Sequence, residues 1–191
     1  VTKTMNNVFI ISGAAGSGKD SIIERLETIL PIERVITTTT RSMRPSEKEG
    51  HPYYFVSREV FEQKKISHEF IEHSINENGE SYGITKKELE RVTNHGSIAI
   101  IRVDWKGVVT VKKLFPEIPA LYIAAPLEVL ERRLRFRDAG KTEQYFEERM
   151  AYTREWLKHL DIYDYTIENE EGKIDEAVEK VRSIIETHLV Q

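Results

Sequence analysis

Gly13, Gly18 and Lys19 stand in the order G-x-x-x-x-G-K, directly after the apolar run 8–11 and before a helical pattern that begins at Ser21. That spacing builds a phosphate-binding loop. Glycines let the backbone curl until successive N–H groups converge on one anion, and the helix behind adds the positive end of its dipole. A lysine at the loop's end reaches the outer phosphates of a nucleotide. The candidate nucleotide contacts are Gly13, Ala14, Ala15, Gly16, Ser17, Gly18, Lys19, Asp20 and Ser21. One position departs from the pattern. Where a Ser or Thr hydroxyl ordinarily meets Mg2+, this chain has Asp20, and Ser21 lies about 100° further round the helix. Asp20 is a hard oxygen donor suited to the metal itself, and without metal it would repel phosphate.

A second set of residues is cationic. Arg41 and Arg44 follow a β-branched run, with Tyr53 and Tyr82 further on. Two guanidinium forks and two phenolic hydroxyls suit a second phosphate. The same residues also read as solvated arginines beside packing tyrosines. A third set is Arg132, Arg133, Arg135 and Arg137, with Arg149 beyond. Arg133 and Arg137 are four apart and share a helix face. Phosphoryl transfer needs cations around charge spread over the moving oxygens. The plainer reading is a solvated helix face on which Glu131 pairs with Arg135. The six histidines have no metal-ligand spacing, no Ser–His–Asp arrangement can be argued, and Trp105 and Trp156 read as core or cover.

These groups need a frame. Apolar or β-branched runs at 8–11, 35–40, 97–104, 119–125 and 165–168 read as strands, with helical periodicity at 21–30, 85–92, 108–114, 127–137, 145–160 and 174–189. Thr85–Glu88 has the form of a capping box, and Ser57 and Thr142 are further candidate caps. Alternating strands and helices predict an α/β fold, a parallel sheet with helices on both faces. The stretch 41–84 breaks the alternation, with short strands near 53–56, 70–74 and 82–84 and a turn at 76–80, and reads as a small β-rich insertion. Ligands of such sheets sit beyond the carboxyl ends of the strands. That rule brings together the Gly13–Lys19 loop, residues 37–44, Asp104 and the basic segment before Asp138. The insertion and the break at Arg132–Thr142 become candidates for closure over a substrate.

At 191 residues the chain suits one well-buried domain. A net charge of −4 gives no general attraction to nucleic acid, so anion sites must be built locally. The absence of cysteine removes disulfides, thiol chemistry and Cys-based zinc sites. No apolar run is long enough to span a membrane and no secretory signal is visible, so a cytoplasmic location is expected. Residues 1–4 are expected to precede a natural start at Met5.

Taken together, the motifs resemble the guanylate kinase family of P-loop nucleoside monophosphate kinases, from Phe9 to the last helix. The most specific piece is Thr39-Thr40-Arg41-x-x-Arg44, followed by Gly50-x-x-Tyr53-x-Phe55-Val56-Ser57, which looks like that family's GMP-binding signature. Phe70-Ile71-Glu72 and Tyr82-Gly83 look like its continuation. The resemblance implies a single domain with a core at 5–40, 86–131 and 160–191, a GMP-binding insertion at 41–85 and a helical lid at about 132–159. It implies transfer of phosphate from ATP to GMP with Mg2+, while the Asp20 departure leaves that carboxylate as the candidate metal contact. Arg41, Arg44, Tyr53 and Tyr82 would hold the GMP phosphate, and Thr37 would lie near the base. Glu72 would accept hydrogen bonds from guanine N1–H and its amino group, and Asp104 would complete the acceptor site. Lys19, Arg133, Arg137 and Arg149 would neutralise the transferring phosphoryl, and Asn169 would line the adenine pocket.

Two further departures stand out. The family usually has Asp-x-Asp where this chain has Arg102-Val103-Asp104, and period-two geometry puts Arg102 and Asp104 on one side. A cation therefore stands where an acid is expected, with Asp20 and Asp104 as candidate partners. Ile84 occupies an acceptor-site position where a base-reading hydroxyl is common. Two relatives compete as templates. Ribose bisphosphate kinases of phosphonate metabolism also carry Lys-Asp-Ser in the loop, but their substrate offers Glu72 no base. Inactive guanylate-kinase-like domains bind phosphopeptides or scaffold partners and lose the nucleotide loop that is intact here. The expected partners are ATP and GMP, with no nucleic acid or membrane, and the oligomeric state is not readable from the sequence.

Overall fold

The computed structural model describes residues 5–45, 47–75, 79–94 and 96–190. Residues 1–4, and 76–78 of the expected turn, lie outside the described residues. The chain runs β1 (Val8–Ser12), α1 (Lys19–Leu26), β2 (Ile32–Arg34), β3 (Thr37–Thr39), β4 (Lys48–Glu49), β5 (Pro52–Phe55) and α2 (Arg58–Ile66). It continues with β6 (Phe70–Ile75), β7 (Ser81–Thr85), α3 (Lys86–Asn94), β8 (Ile98–Ile101), α4 (Trp105–Leu114) and β9 (Ala120–Ala124). Last come α5 (Leu127–Arg137), α6 (Glu143–Trp156), a 3-10 helix (Leu157–Ile162), β10 (Tyr165–Glu168) and α7 (Ile174–Leu189).

The core sheet has the order β10-β9-β1-β8-β2, and every pair in it is parallel. Side chains alternate between its faces. Phe9, Ile11, Ile98, Ile100, Leu121 and Ile123 pack with α1 and α7 on one side. Val8, Ile10, Ala99, Ile101 and Ala120 pack with α3 and α4 on the other. Two covered faces explain why these strands are continuous apolar runs. The loop 13–18 leaves the carboxyl end of the central strand β1, so the candidate phosphate loop is held by a fully buried strand of the sheet.

A second sheet, β4-β5-β3-β7-β6, stands beyond that carboxyl edge. The strand expected at 35–40 is divided. Ile32–Arg34 pairs with β8 in the core sheet, whereas Thr37–Thr39 pairs with β5 and β7 in the second. Ile36 between them donates its N–H to a side chain, Glu88 Oε1 at 2.8 Å, so neither ladder runs through. The core segment escapes an apolar-run reading because β2 is an edge strand, where Glu33 and Arg34 remain partly exposed.

Helix boundaries shift for local reasons. Helix α1 begins at Lys19 and ends at Leu26, with turns up to Pro31. Thr85 Oγ1 accepts the Glu88 N–H at 3.2 Å, half of a capping box, while the Glu88 side chain turns instead to Ile36, Tyr54 and Arg91. Helix α6 stops at Trp156, and His159 in the following 3-10 segment leaves helical geometry to stack on Trp105, ring centres 3.9 Å apart. A small apolar cluster of Leu134, Phe146 and Met150 joins α5 to α6 and rests on Ala15 of the loop.

Candidate active site

The loop is shaped by its walls. Gly18 takes φ +84° as it caps α1, and a β-carbon there would come within 2.3 Å of Asn169 Nδ2. Asn169 is buried at the end of β10 and donates to the Ser17 carbonyl at 2.7 Å. Its Oδ1, like Ser17 Oγ, is buried without a hydrogen-bond partner among the described residues. Asn169 thus braces the loop directly and keeps one acceptor for a ligand. Arg133 sits on the loop's outer edge, donating to the Gly16 carbonyl at 3.1 Å.

In front of the loop lies a cleft of about 420 Å3. Gly13, Ala15, Lys19 and Asp20 line one side; Thr37, Arg41, Arg44, Tyr53, Glu72 and Tyr82 line the other. Arg102 and Asp104 form its floor at the end of β8, and Arg137 and Arg149 approach from α5 and α6. Burial lowers the Lys19 pKa below the usual lysine range; Asp20 offsets part of that, and Arg102, Arg137 and Arg149 deepen it. With Arg41 and Arg44 the cleft is lined by six cations against the four acids Asp20, Glu47, Glu72 and Asp104, a balance that favours an anion.

Three of the arginines, Arg41, Arg102 and Arg137, are held by carboxylates. Arg102 Nη1 meets Asp20 Oδ1 at 2.5 Å, and Arg102 Nη2 donates to the Tyr53 hydroxyl at 2.9 Å. Of the two candidate partners for the displaced cation, Asp20 is the one it takes. Burial acts to raise the Asp20 pKa, but Lys19 and Arg102 outweigh it and hold the carboxyl below its ordinary value. Arg41 donates to Glu47 Oε1 at 2.7 Å, with its guanidinium 5.3 Å from the Tyr53 ring centre. Arg137 forms a bidentate pair with Asp138, both bonds 2.9 Å, and Tyr145 donates to the same carboxylate at 2.7 Å. Arg137 chiefly, with Tyr145, holds Asp138 down to about 2 against the effect of burial. The Arg137–Asp138 pair shows a guanidinium arranged around two carboxylate oxygens, the geometry in which it meets a phosphate.

The acceptor-side acid is different. Glu72 is 3% exposed, and burial, reinforced by Asp104, pushes its pKa up to about 8, with a Ser74 hydrogen bond opposing. Asp104 itself caps α4, accepting the Gly107 N–H at 2.9 Å, and accepts the Tyr152 hydroxyl at 2.7 Å. Ile84, expected among the acceptor contacts, is wholly buried in the core cluster with Val35 and Leu89 and does not line the cleft. A side chain without polar atoms gains most from that burial. Its ladder partner is Glu72, so the carboxylate has an aliphatic neighbour where a hydroxyl was anticipated.

Several cleft residues were not picked out from the sequence. Tyr145, Tyr152, Thr153 and Trp156 line it together with Arg149, and the spacing 145, 149, 152, 156 is one face of α6. That periodicity was the available signal. Trp156 Nε1 donates to Tyr163, Tyr163 donates to Ser12 Oγ, and Ser12 donates to the Val103 carbonyl, at 2.9, 3.1 and 2.6 Å. This chain of hydrogen bonds ties the end of α6 to the ends of β1 and β8, and its members are too far apart in sequence to leave a motif.

Comparison with known proteins agrees with this geometry. The family model described as guanylate kinase matches residues 5–188. The guanylate kinase of Nitrosospira multiformis is 36% identical over 188 residues, covering 97% of this chain and 88% of that protein. The guanylate kinase of Rickettsia bellii is 34% identical over 188 residues, covering 97% and 96%. The crystal structure of guanylate kinase from Anaplasma phagocytophilum superposes with a TM-score of 0.76 at 28% identity, covering 96% of this chain and 87% of that one. With a nucleotide loop at the centre of a parallel sheet and an arginine–tyrosine pocket facing it, the chain belongs to the guanylate kinase family.

Proposed function

We propose that this protein transfers the terminal phosphoryl group of ATP to GMP, giving ADP and GDP. The observation that carries the reading is the cation cluster of Lys19, Arg102, Arg137 and Arg149 between a phosphate loop and a tyrosine–arginine pocket. Two phosphates brought to such a cluster meet end to end, and transfer is then chiefly positioning and charge stabilisation.

In this reading the loop 13–18 and Lys19 hold the ATP phosphates, and Asn169 offers Oδ1 to the adenine side. Arg41, Arg44, Tyr53 and Tyr82 hold the GMP phosphate. Glu72, as a carboxylate, accepts from guanine N1–H and the amino group. Adenine presents an acceptor at N1 and has no amino group there, so discrimination by roughly 10⁴ is within reach of such a site. Arg137 and Arg149 neutralise the transferring group, and Arg133 supports the loop from behind. Residues 41–85 form the GMP-binding part and about 132–159 the lid. Mg2+ fits as a companion of ATP. Asp20 is a half-exposed carboxylate in the first turn of α1, and no cluster of three or more acidic or histidine side chains forms a metal site of its own among the described residues. One carboxylate plus substrate phosphates is the usual Mg2+ set. When bound, the metal would shield phosphate charge.

The test is a coupled assay of ADP release with GMP, dGMP, AMP, UMP and ribose 1,5-bisphosphate as acceptors. GMP and dGMP are expected to turn over at least ~100-fold better than AMP. Preference for ribose 1,5-bisphosphate, or ATP binding without turnover of any acceptor, would overturn the reading. No helix among the described residues is long and apolar enough to cross a membrane.

A further inference from the structure

We propose that Arg102 is a conditional ligand of the acceptor phosphate, held in reserve by Asp20 until Mg·ATP arrives. The inference rests on the assignment of donor and acceptor sides given above and adds a coupling between them.

Arg102 spans the cleft. One nitrogen meets Asp20 on the donor loop and the other meets the Tyr53 hydroxyl on the acceptor side. Its guanidinium lies 5.4 Å from the Tyr53 ring centre, and that of Arg41 lies 5.3 Å from the same ring. Both cations are therefore directed at one tyrosine of the acceptor pocket. The Arg102 side chain is only 21% exposed, and Asp20 is its counter-ion. Asp20 also has a second claim on it. It follows the loop lysine directly, its carboxylate is 3.9 Å from Lys19 Nζ, and beside an ATP polyphosphate it is tolerable only when turned to a cation.

The consequence is a transfer of partners. When Asp20 turns to the nucleotide's divalent cation, Arg102 loses its counter-charge in a space already shared with Lys19, Arg137 and Arg149. A poorly solvated cation in that position gains strongly from a new anion. The nearest place for one is beside Tyr53 and Arg41, where the acceptor phosphate is assigned. Donor binding thus raises acceptor affinity, and by linkage acceptor binding raises the affinity for Mg·ATP by the same factor.

The experiment is calorimetric titration of GMP into the protein alone, and into protein saturated with a non-hydrolysable ATP analogue, with Mg2+ or with EDTA. The Mg2+ complex should tighten GMP binding about tenfold, within the usual range of coupling between sites; the analogue with EDTA should not. Two variants should move in opposite directions. Arg102→Gln should bind GMP weakly in every condition, and Asp20→Ser, with Asp20→Asn as a second version, should bind it tightly in every condition. Thermal melts confirm that each variant is folded. A merely structural ion pair would shift both variants the same way. Equal GMP affinity in wild type with and without the Mg2+ complex, or coupling retained in both variants, would overturn the inference alone. Failure of GMP to bind any form would overturn the acceptor assignment and the inference with it.

Discussion

Glu88 Oε1 accepts the backbone N–H of Ile36 at 2.8 Å, where the chain passes from the core sheet to the second sheet. The same carboxylate receives Arg91 through both oxygens, at 2.8 and 3.0 Å, and the Tyr54 hydroxyl at 3.3 Å. Arg91 continues to Glu33 at 3.1 Å and to the Arg34 carbonyl at 3.3 Å, on the last core strand before the crossing. One buried acid therefore fixes the angle between the two halves of the site.

Replacing it should be felt first as lost stability. Glu88→Ala leaves the Ile36 N–H without its acceptor and Arg91 with only Glu33 and the Arg34 carbonyl, a loss of about 2–3 kcal/mol. For a chain of this size that lowers the melting temperature by roughly 5–10 °C. Glu88→Gln keeps an oxygen for Ile36 and should lose about half as much. Thermal melts check both, and a Glu88→Ala protein that melts with wild type would refute the clamp.

With Glu72 assigned to the guanine of GMP, binding should depend on pH. With its pKa pushed up to about 8 in the free site, a Glu72 that meets guanine as a carboxylate must ionise on binding, and a proton should be released. Affinity should rise by up to about tenfold from pH 6.5 to 7.5 and level off above pH 8. The GMP phosphate titrates near pH 6 by itself, so the informative quantity is the difference between wild type and Glu72→Gln, in which this slope disappears. Stability of the unliganded protein runs the other way. Between the ordinary carboxyl value of 4.5 and about 8 the folded state holds a proton that the unfolded chain has lost, so stability falls as pH rises through that window. At pH 8.5 Glu72→Gln should melt about 3 °C or more above wild type, and a lower melting point would contradict the burial argument.

What could be read from the sequence follows from how each element is covered. β1, β8 and β9 are buried on both faces and therefore continuous apolar runs, and the glycine–lysine loop stands directly behind the first of them. β2 has only Ile32 as an apolar residue because it is an edge strand, so the β-branched run beside it drew the boundary of the core sheet too late. Glu88 shows the limit of local motifs: its backbone obeys the capping pattern while its side chain serves a contact 52 residues away. The same holds for Asp20. Its type was visible as a departure, but which cation it answers depends on β8 lying beside β1.

Gly18 should not tolerate even alanine. Its φ of +84° disfavours any side chain, and the added carbon would press on Asn169 Nδ2. Asn169 would have to withdraw and surrender its bond to the Ser17 carbonyl. Gly18→Ala should raise the KM for ATP at least ~10-fold with little change in the KM for GMP at saturating Mg·ATP, since the loop is assigned to the donor. If the effect acts through Asn169, adding Asn169→Ala to Gly18→Ala should cost less than the two single effects combined. Full additivity would place the damage in the backbone alone.

Lys19 sets function against stability. The lysine is held among Arg102, Arg137 and Arg149 at a depressed pKa, so without nucleotide it is a strained cation for which Asp20 only partly compensates. Lys19→Met removes that charge, keeps a chain of similar length and suits the buried stem. The unliganded variant should gain about 1 kcal/mol and melt roughly 2–4 °C higher than wild type. Its response to ATP should fail: the stabilisation that saturating Mg·ATP gives wild type should shrink, and kcat should drop by about 10²–10³ as a charge aimed at the transferring phosphoryl is lost. The stabilisation by GMP should remain, because the acceptor arginines and tyrosines are untouched. A Lys19→Met protein less stable than wild type in the absence of nucleotide would show that the cluster is balanced without its anion, and the charge argument for the site would fall.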